Sequence, residues 1–255
     1  MIRCRISAGE KENIMQPKHI KNKMNAAIIA HRGLSGIEPE NTLSAFIAAA
    51  NRSYFGIETD VHKTRDGKFI CTHDDNVKRV CGVDAVVENT DYDTLRAMHV
   101  LDKDGTNRCD LYLPSLSEYI GICKKYGKMA VLELKNSFTE CEIRAILDEI
   151  EALDYLSGTI FIAFDPNNLY SVRKYYPKQA VQLLVSVRTQ VPNFLEVARE
   201  HGFDLDAQHT MITKELLDDV HSRGGIVNVW TVDDPERAEE LIAMGVDQIT
   251  TNICE

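Results

Sequence analysis

No stretch of this chain approaches the ~20 consecutive apolar residues that a membrane-crossing helix needs. No internal repeat and no low-complexity tract interrupts its 255 residues. Positive charge is in the minority. Lys and Arg number 29 against 39 Asp and Glu, a formal net charge of −10, which argues against nonspecific binding to nucleic acid or anionic lipid. The seven cysteines have no paired metal-type spacing. Odd in number and scattered, they read as free thiols in a reducing compartment. Residues 1–25 are polar and somewhat basic and contain no apolar run, so they do not read as a secretory signal. Cytoplasm is therefore the expected location. The turn Gly33-Leu34-Ser35-Gly36 after the first apolar run lacks the Gly-x-Gly-x-x-Gly spacing of a dinucleotide-binding fold.

What is present is alternation. From residue 26 onward short apolar strands alternate with amphipathic helices, and eight strands are predicted, over 27–31, 55–60, 129–134, 159–163, 180–185, 203–207, 226–230 and 247–250. Ser115-Leu116-Ser117-Glu118 and Thr139-Glu140-Cys141-Glu142 fit the capping box, in which each partner satisfies an otherwise orphaned amide. Asp165-Pro166 and Asp234-Pro235 put a cap before a proline in the first helical position. Gly127, Gly158, Gly202, Gly224 and Gly245 follow helical segments, where a left-handed stop is expected. Eight β/α units without a linker predict an α/β fold, a TIM-type (β/α)8 barrel over residues 26–255, preceded by an N-terminal extension over 1–25.

The alternation breaks between the second and third barrel strands. Thr64-Arg65-Asp66-Gly67-Lys68 carries an Asp-Gly hairpin signal. The chain should rise from the rim there and fold back, returning His73 to the rim that holds Glu58 and Asp60. Residues of about 74–113 then form a small insertion, a length usual for lids and binding elements. The chain ends soon after its last strand, so no full eighth helix is expected. The extension is expected to cover that gap or the barrel floor.

The chemistry-bearing residues fall at strand ends. Glu58 and Asp60 are spaced i, i+2 and so share one strand face, and Glu133 and Lys135 repeat the spacing. In a barrel of this class the C-terminal strand ends form the active site. Three carboxylates converging there would raise one another's pKa unless a cation neutralised them. Oxygen ligands suit Mg²⁺ or Ca²⁺. An anionic substrate would need local positive charge from Arg32, Lys135 and that cation. His31 and His73 supply groups that titrate near neutrality, as acid–base transfer requires. His62 is assigned either a supporting or an exposed place, and His209 follows the sixth strand closely enough to reach the mouth. Trp230, the only tryptophan, is expected to line the pocket.

Taken together, His31-Arg32-Gly33, Pro39-Glu40-Asn41-Thr42, Glu58-x-Asp60-Val61, Thr64-x-Asp66-Gly67 and His73-Asp74 strongly resemble the glycerophosphodiester phosphodiesterase family. Leu132-Glu133-Leu134-Lys135, Phe164-Asp165, Val229-Trp230-Thr231-Val232 and Gly245-Val246-Asp247 extend the resemblance over about 27–252. It implies a TIM-type barrel in which Glu58, Asp60 and Glu133 bind one divalent cation, Mg²⁺ or Ca²⁺. Arg32 and Lys135 would hold the phosphate, Trp230 would face the glycerol or head group, and His31 and His73 would form the acid–base pair. The implied reaction is hydrolysis of a small-molecule glycerophosphodiester, a deacylated phospholipid, to sn-glycerol 3-phosphate and an alcohol. Two positions depart from the family pattern: Ala163 where serine is frequent, and Asn252 where aspartate is common. Both are expected to stand clear of the proposed ligands and histidines and to bear on head-group choice. The alternatives are a lysophospholipase D-type activity on lysophospholipids and a catalytically silent barrel that binds phosphodiesters.

Overall fold

The computed structural model describes residues 15–188 and 193–255. The first fourteen residues of the expected extension, with Cys4, lie outside the described residues. The strands in chain order are β1 (Ala27–Ala30), β2 (Gly56–Lys63), β3 (Phe69–Cys71), β4 (His99–Leu101), β5 (Asn107–Tyr112), β6 (Met129–Leu134), β7 (Thr159–Ala163), β8 (Val181–Val185), β9 (Asp204–Gln208), β10 (Val227–Trp230) and β11 (Gln248–Thr251). All except β3, β4 and β5 pair in parallel, and β1 pairs with both β2 and β11, so the sheet closes as an eight-stranded TIM-type barrel. The helices are α1 (Leu43–Ala50), α2 (Lys78–Cys81), α3 (Tyr92–Arg96), α4 (Leu116–Tyr126), α5 (Glu140–Ala152), α6 (Pro166–Tyr175), α7 (Phe194–His201), α8 (Lys214–Ser222) and α9 (Pro235–Met244).

The outward-facing residues of the barrel strands are mostly apolar because the helices cover that face. Alternation divides the strand residues into two cores. Ile28, Ile57, Val61, Leu132 and Phe161 pack outward with apolar residues of the helices. Ile29, Val131, Ile160, Ile162 and Leu184 form the inner core. Polar pairs fill part of the interior: Gln182 Nε2 donates to Gln248 Oε1 at 2.9 Å, and Asn228 Nδ2 to Thr250 Oγ1 at 3.0 Å.

The expected helix starts are present. Ser115 with Glu118 and Thr139 with Glu142 form reciprocal capping boxes, and Asp165 and Asp234 accept from the backbone of Asn167 and Glu236. Each such cap stabilises its helix by about 1 kcal/mol. Gly127, Gly202, Gly224 and Gly245 adopt positive φ, but Gly158 does not. The left-handed residue after α5 is Asp154, with φ of 52°. Gly158 closes a 3₁₀ turn against Tyr155, whose ring would lie 2.6 Å from a Cβ placed there. Close packing, not φ, is what calls for glycine at 158.

β2 runs three residues past its predicted end at Asp60, to Lys63, because β3 pairs with that overhang antiparallel, His62 opposite Ile70. The following stretch holds α2, α3 and the β4–β5 ribbon, and Ile70, Val77, Val87, Leu95, Val100, Leu111 and Leu113 are buried there as a separate small core. At the other end of the chain, Lys18 and Cys254 form a parallel bridge, and Ile20 is buried in the outer core. Among the described residues no helix is long and apolar enough to cross a membrane, and the six described cysteines are all free.

Candidate active site

Asp60 on β2 lies opposite Glu133 on β6 in register, so neighbouring parallel strands aim both side chains into the barrel mouth. Glu58, one pleat below Asp60, completes a buried triad whose carboxylate oxygens lie within 4.8 Å of one another. Burial, then the charges of Asp60 and Glu133, holds the Glu58 carboxyl well above its ordinary range. Glu133 rises for the same reasons, to about 7. Asp60 shifts the opposite way. Burial opposes its ionisation, but Lys135, Arg32, His73 and a hydrogen bond from Asn41 outweigh it and push the carboxyl down. Asp60 Oδ1 is buried with no hydrogen-bond partner. Hard oxygen donors in a buried group, one with an unused lone pair, fit a hard divalent cation.

Two cations of the chain border the triad. Lys135 Nζ lies 2.9 Å from Glu133 Oε1 and 3.6 Å from Asp60 Oδ1. Arg32 follows β1 with φ of +56°, a conformation that non-glycine residues adopt at a cost and that clusters at functional sites. The turn points the Arg32 backbone N–H at Glu58 Oε2, 2.8 Å away. Gly33 must follow, since at its φ of +75° a Cβ would lie 2.6 Å from the Ala45 backbone. The Arg32 guanidinium donates to Glu40 at 2.8 Å, while its buried Nε, 3.6 Å from Asp60 Oδ2, makes no hydrogen bond.

His31 and His73 line one cavity of about 260 Å³ together with Arg32, Glu58, Glu133, Lys135 and Trp230. The hairpin thus returns His73 to the rim. Its Nδ1 lies 2.7 Å from Asp74 Oδ1. Asp74 accepts from Arg79 Nε at 2.6 Å, and Arg79 in turn donates to Glu40 at 2.8 and 2.9 Å. A chain of hydrogen bonds and ion pairs therefore runs from His73 through α2 to Arg32. His31 is lowered to about 4, by burial first and Arg32 next, with the hydrogen bond from its ring to Asn252 opposing.

The far wall is apolar: Ile162, Phe164, Leu184 and Trp230 line it. The Trp230 ring meets Phe164 edge-on at 5.9 Å and is fixed by Nε1 donating to the Asp206 carbonyl at 3.1 Å. His62 is fully buried, and its Nε2 lies 3.2 Å from the His73 carbonyl, supporting that loop from below. His209 sits in a 3₁₀ turn beyond β9 and does not line the cavity. Asn252 overturns one expectation: it does not stand clear of the histidines, because its Oδ1 lies 2.7 Å from His31 Nδ1. The β11 rim turn and the β1 rim turn are adjacent in the closed barrel although 221 positions separate the two residues. Asn41, Glu40 and Asp74 also escaped assignment. All three lie inside the motif blocks, and that placement was the available signal.

A family model described as the glycerophosphoryl diester phosphodiesterase family matches residues 31–255. The chain is 27% identical over 232 residues to a glycerophosphodiester phosphodiesterase of Caldanaerobacter subterraneus subsp. tengcongensis, covering 90% of this chain and 95% of the relative. A solved glycerophosphodiester phosphodiesterase from Parabacteroides distasonis superposes with a TM-score of 0.72 at 28% identity, covering 89% of this chain and 93% of that one. An Oleispira antarctica phosphodiesterase, solved in complex with the product sn-glycerol-3-phosphate, shares the fold with a TM-score of 0.78 at 23% identity, covering 92% and 96%.

Proposed function

The chain belongs to the glycerophosphoryl diester phosphodiesterase family, and on that footing we propose that it hydrolyses small glycerophosphodiesters to sn-glycerol 3-phosphate and an alcohol. One divalent cation, Mg²⁺ or Ca²⁺, would be held by Glu58, Asp60 and Glu133. The observation that carries this reading is a pair of buried, unused polar atoms: the acceptor Asp60 Oδ1 in the carboxylate triad and the donor Nε of Arg32, a residue of the cavity wall. A phosphodiester with its counter-cation would satisfy both. When bound, the cation supplies positive charge beside the phosphoryl oxygens.

Arg32 and Lys135 bind and orient the phosphate, their charge complementing the oxygens on which negative charge builds. Arg32 is held at that wall by Glu40 and Asp60. His31 and His73 move the protons: one takes the proton of the attacking hydroxyl and the other protonates the departing alcohol. The attacking hydroxyl is the glycerol's own, which yields a cyclic phosphate that water opens. Trp230 and Phe164 offer the carbon skeleton an apolar face.

The test is release of glycerol 3-phosphate from glycerophosphocholine and glycerophosphoethanolamine, with chelator and with Mg²⁺ or Ca²⁺ added back separately. Release that chelator stops and one cation restores is expected. Release indifferent to chelator removes the cation from the reading, and no release with any cation removes the reading itself.

A further inference from the structure

Asp206 is a carboxyl in the far wall of the cavity with no part in the chemistry proposed above. It stands in the middle of β9, where Leu205 and Ala207 belong to the outer core and Asp206 therefore faces the barrel interior. Leu184 on β8 and Asn228 on β10 flank it in register, and it lines the cavity beside Leu184, Phe164 and Trp230. The residue is buried, and its Oδ1 makes no hydrogen bond. Among the described residues, no other buried side chain of that wall has a polar atom without a partner. The neighbouring polar groups are already engaged. Trp230 Nε1 donates to the Asp206 carbonyl at 3.1 Å, and the Thr250 hydroxyl accepts from Asn228 Nδ2 at 3.0 Å.

A buried carboxyl without a partner costs stability, and an aliphatic side chain of similar size would fill the same place without that cost. A ligand that satisfies it gives the burial a use. Burial, then the charge of Glu133, holds the Asp206 carboxyl well above its ordinary range, with a hydrogen bond from Asn228 opposing. A neutral carboxyl offers one donor and one acceptor. An alcohol offers the same pair, whereas a quaternary ammonium has no N–H to give. The place of Asp206 selects among the alcohols of the substrate. Arg32 and Lys135 hold the phosphate on the opposite side of the cavity, and the hydroxyl next to the phosphate attacks it. The terminal glycerol hydroxyl is the one left over, at the end of the carbon skeleton that runs along Phe164 and Trp230. We propose that Asp206 is a specificity-determining residue that exchanges hydrogen bonds with the terminal hydroxyl of the glycerol moiety. This rests on the function proposed above. A lysophospholipid with an acyl ester at that oxygen has no proton to give Asp206 and brings its chain against a buried wall, so it is rejected.

The test compares glycerophosphocholine with 2-hydroxypropyl phosphocholine, which keeps the attacking hydroxyl and lacks the terminal one. The wild type is expected to prefer the first at least about tenfold in kcat/KM, because a site built to bond a hydroxyl discriminates strongly against its loss. Asp206→Leu is expected to lower kcat/KM for glycerophosphocholine at least about tenfold and to leave the analogue within about threefold of wild type. Asp206→Asn keeps a donor and an acceptor and should keep most of the preference. A wild type indifferent to the terminal hydroxyl, or an Asp206→Leu enzyme with the wild-type preference, overturns the proposal. The melting temperature of Asp206→Leu should equal or exceed that of the wild type. A fall of several degrees shared by both variants makes Asp206 a packing group and also overturns it. Calorimetry reads the same contact without turnover: with Mg²⁺ or Ca²⁺ present, sn-glycerol 3-phosphate should bind the wild type at least about tenfold tighter than 2-hydroxypropyl phosphate, and Asp206→Leu should bind the two alike. Equal binding by the wild type overturns the proposal even if Asp206→Leu fails to fold. A wild type that releases no product from either diester yet keeps this binding preference refutes the proposed function and leaves the hydroxyl contact standing.

Discussion

Cation binding should tighten steeply as the pH rises from 5.5 to 7. The reason lies in the state of the triad before a cation arrives. Asp60 stays ionised throughout this range, since Lys135, Arg32 and His73 hold its carboxyl low against the opposing effect of burial. Burial and the Asp60 charge lift Glu133 from 4.5 to about 7. A cation entering at pH 5.5 must therefore displace at least that proton, and each displaced proton costs tenfold in affinity per pH unit below its pKa. From pH 5.5 to 7 the change is about 30-fold, or about 2 kcal/mol. Glu58, raised by burial and by both neighbouring carboxylates, adds to it. The same shift acts on folding. Below pH 4.5 folded and unfolded chains both keep the Glu133 proton, and its contribution is fully present. Between 4.5 and about 7 only the folded chain keeps it, so up to about 3 kcal/mol of cation-free stability is lost across that window. Added cation should offset the loss above pH 7. Calorimetric titration with Mg²⁺ or Ca²⁺ at pH 5.5, 7 and 8, in two buffers of different ionisation enthalpy, measures affinity and released protons together. Equal affinity at pH 5.5 and 8 with no proton released would refute the mutual-repulsion argument.

Other consequences are equally open to test. His31→Ala and His73→Ala should each lower kcat at least about 100-fold, with cation affinity by calorimetry within about threefold of wild type. A large loss of cation binding in either would make that histidine part of the cation site. Arg79→Leu removes the link between Asp74 and Glu40. Because Arg79 is half exposed, its pairs contribute at most about 1 kcal/mol to stability, so the melting temperature should hold while kcat falls, and the reverse pattern would show that the Arg79 contacts serve the fold and not the placing of His73 and Arg32. Gly33→Ala places a Cβ against the Ala45 backbone at a left-handed φ. It should destabilise the fold by more than about 2 kcal/mol, and an unchanged denaturant midpoint would contradict the geometry.

Much of the barrel was legible because its signals are local. Short apolar runs, such as Ala27–Ala30 of β1 and the first four residues of β6, and caps such as Ser115 and Asp234 act on their own neighbours in sequence. The i, i+2 spacing of Glu58 with Asp60 and of Glu133 with Lys135 likewise needs only the strand pleat to predict a shared face. The inserted stretch was opaque for the opposite reason. α2 has four residues and α3 five, too short to be stable alone. They exist because Ile70, Val77, Leu95 and Leu111, far apart in sequence, share one small core.

By itself, then, the sequence determined the kind of fold, the rim and the residue types that converge on it, since periodicity, capping and pleat are properties of adjacent residues. Only the closed barrel decided who serves whom. Asn252 and His31 meet at the seam where β11 pairs with β1, and Arg79 joins Asp74 to Glu40 across the insertion. A hydrogen bond depends on distances of a few ångströms, and chain closure sets those distances in three dimensions.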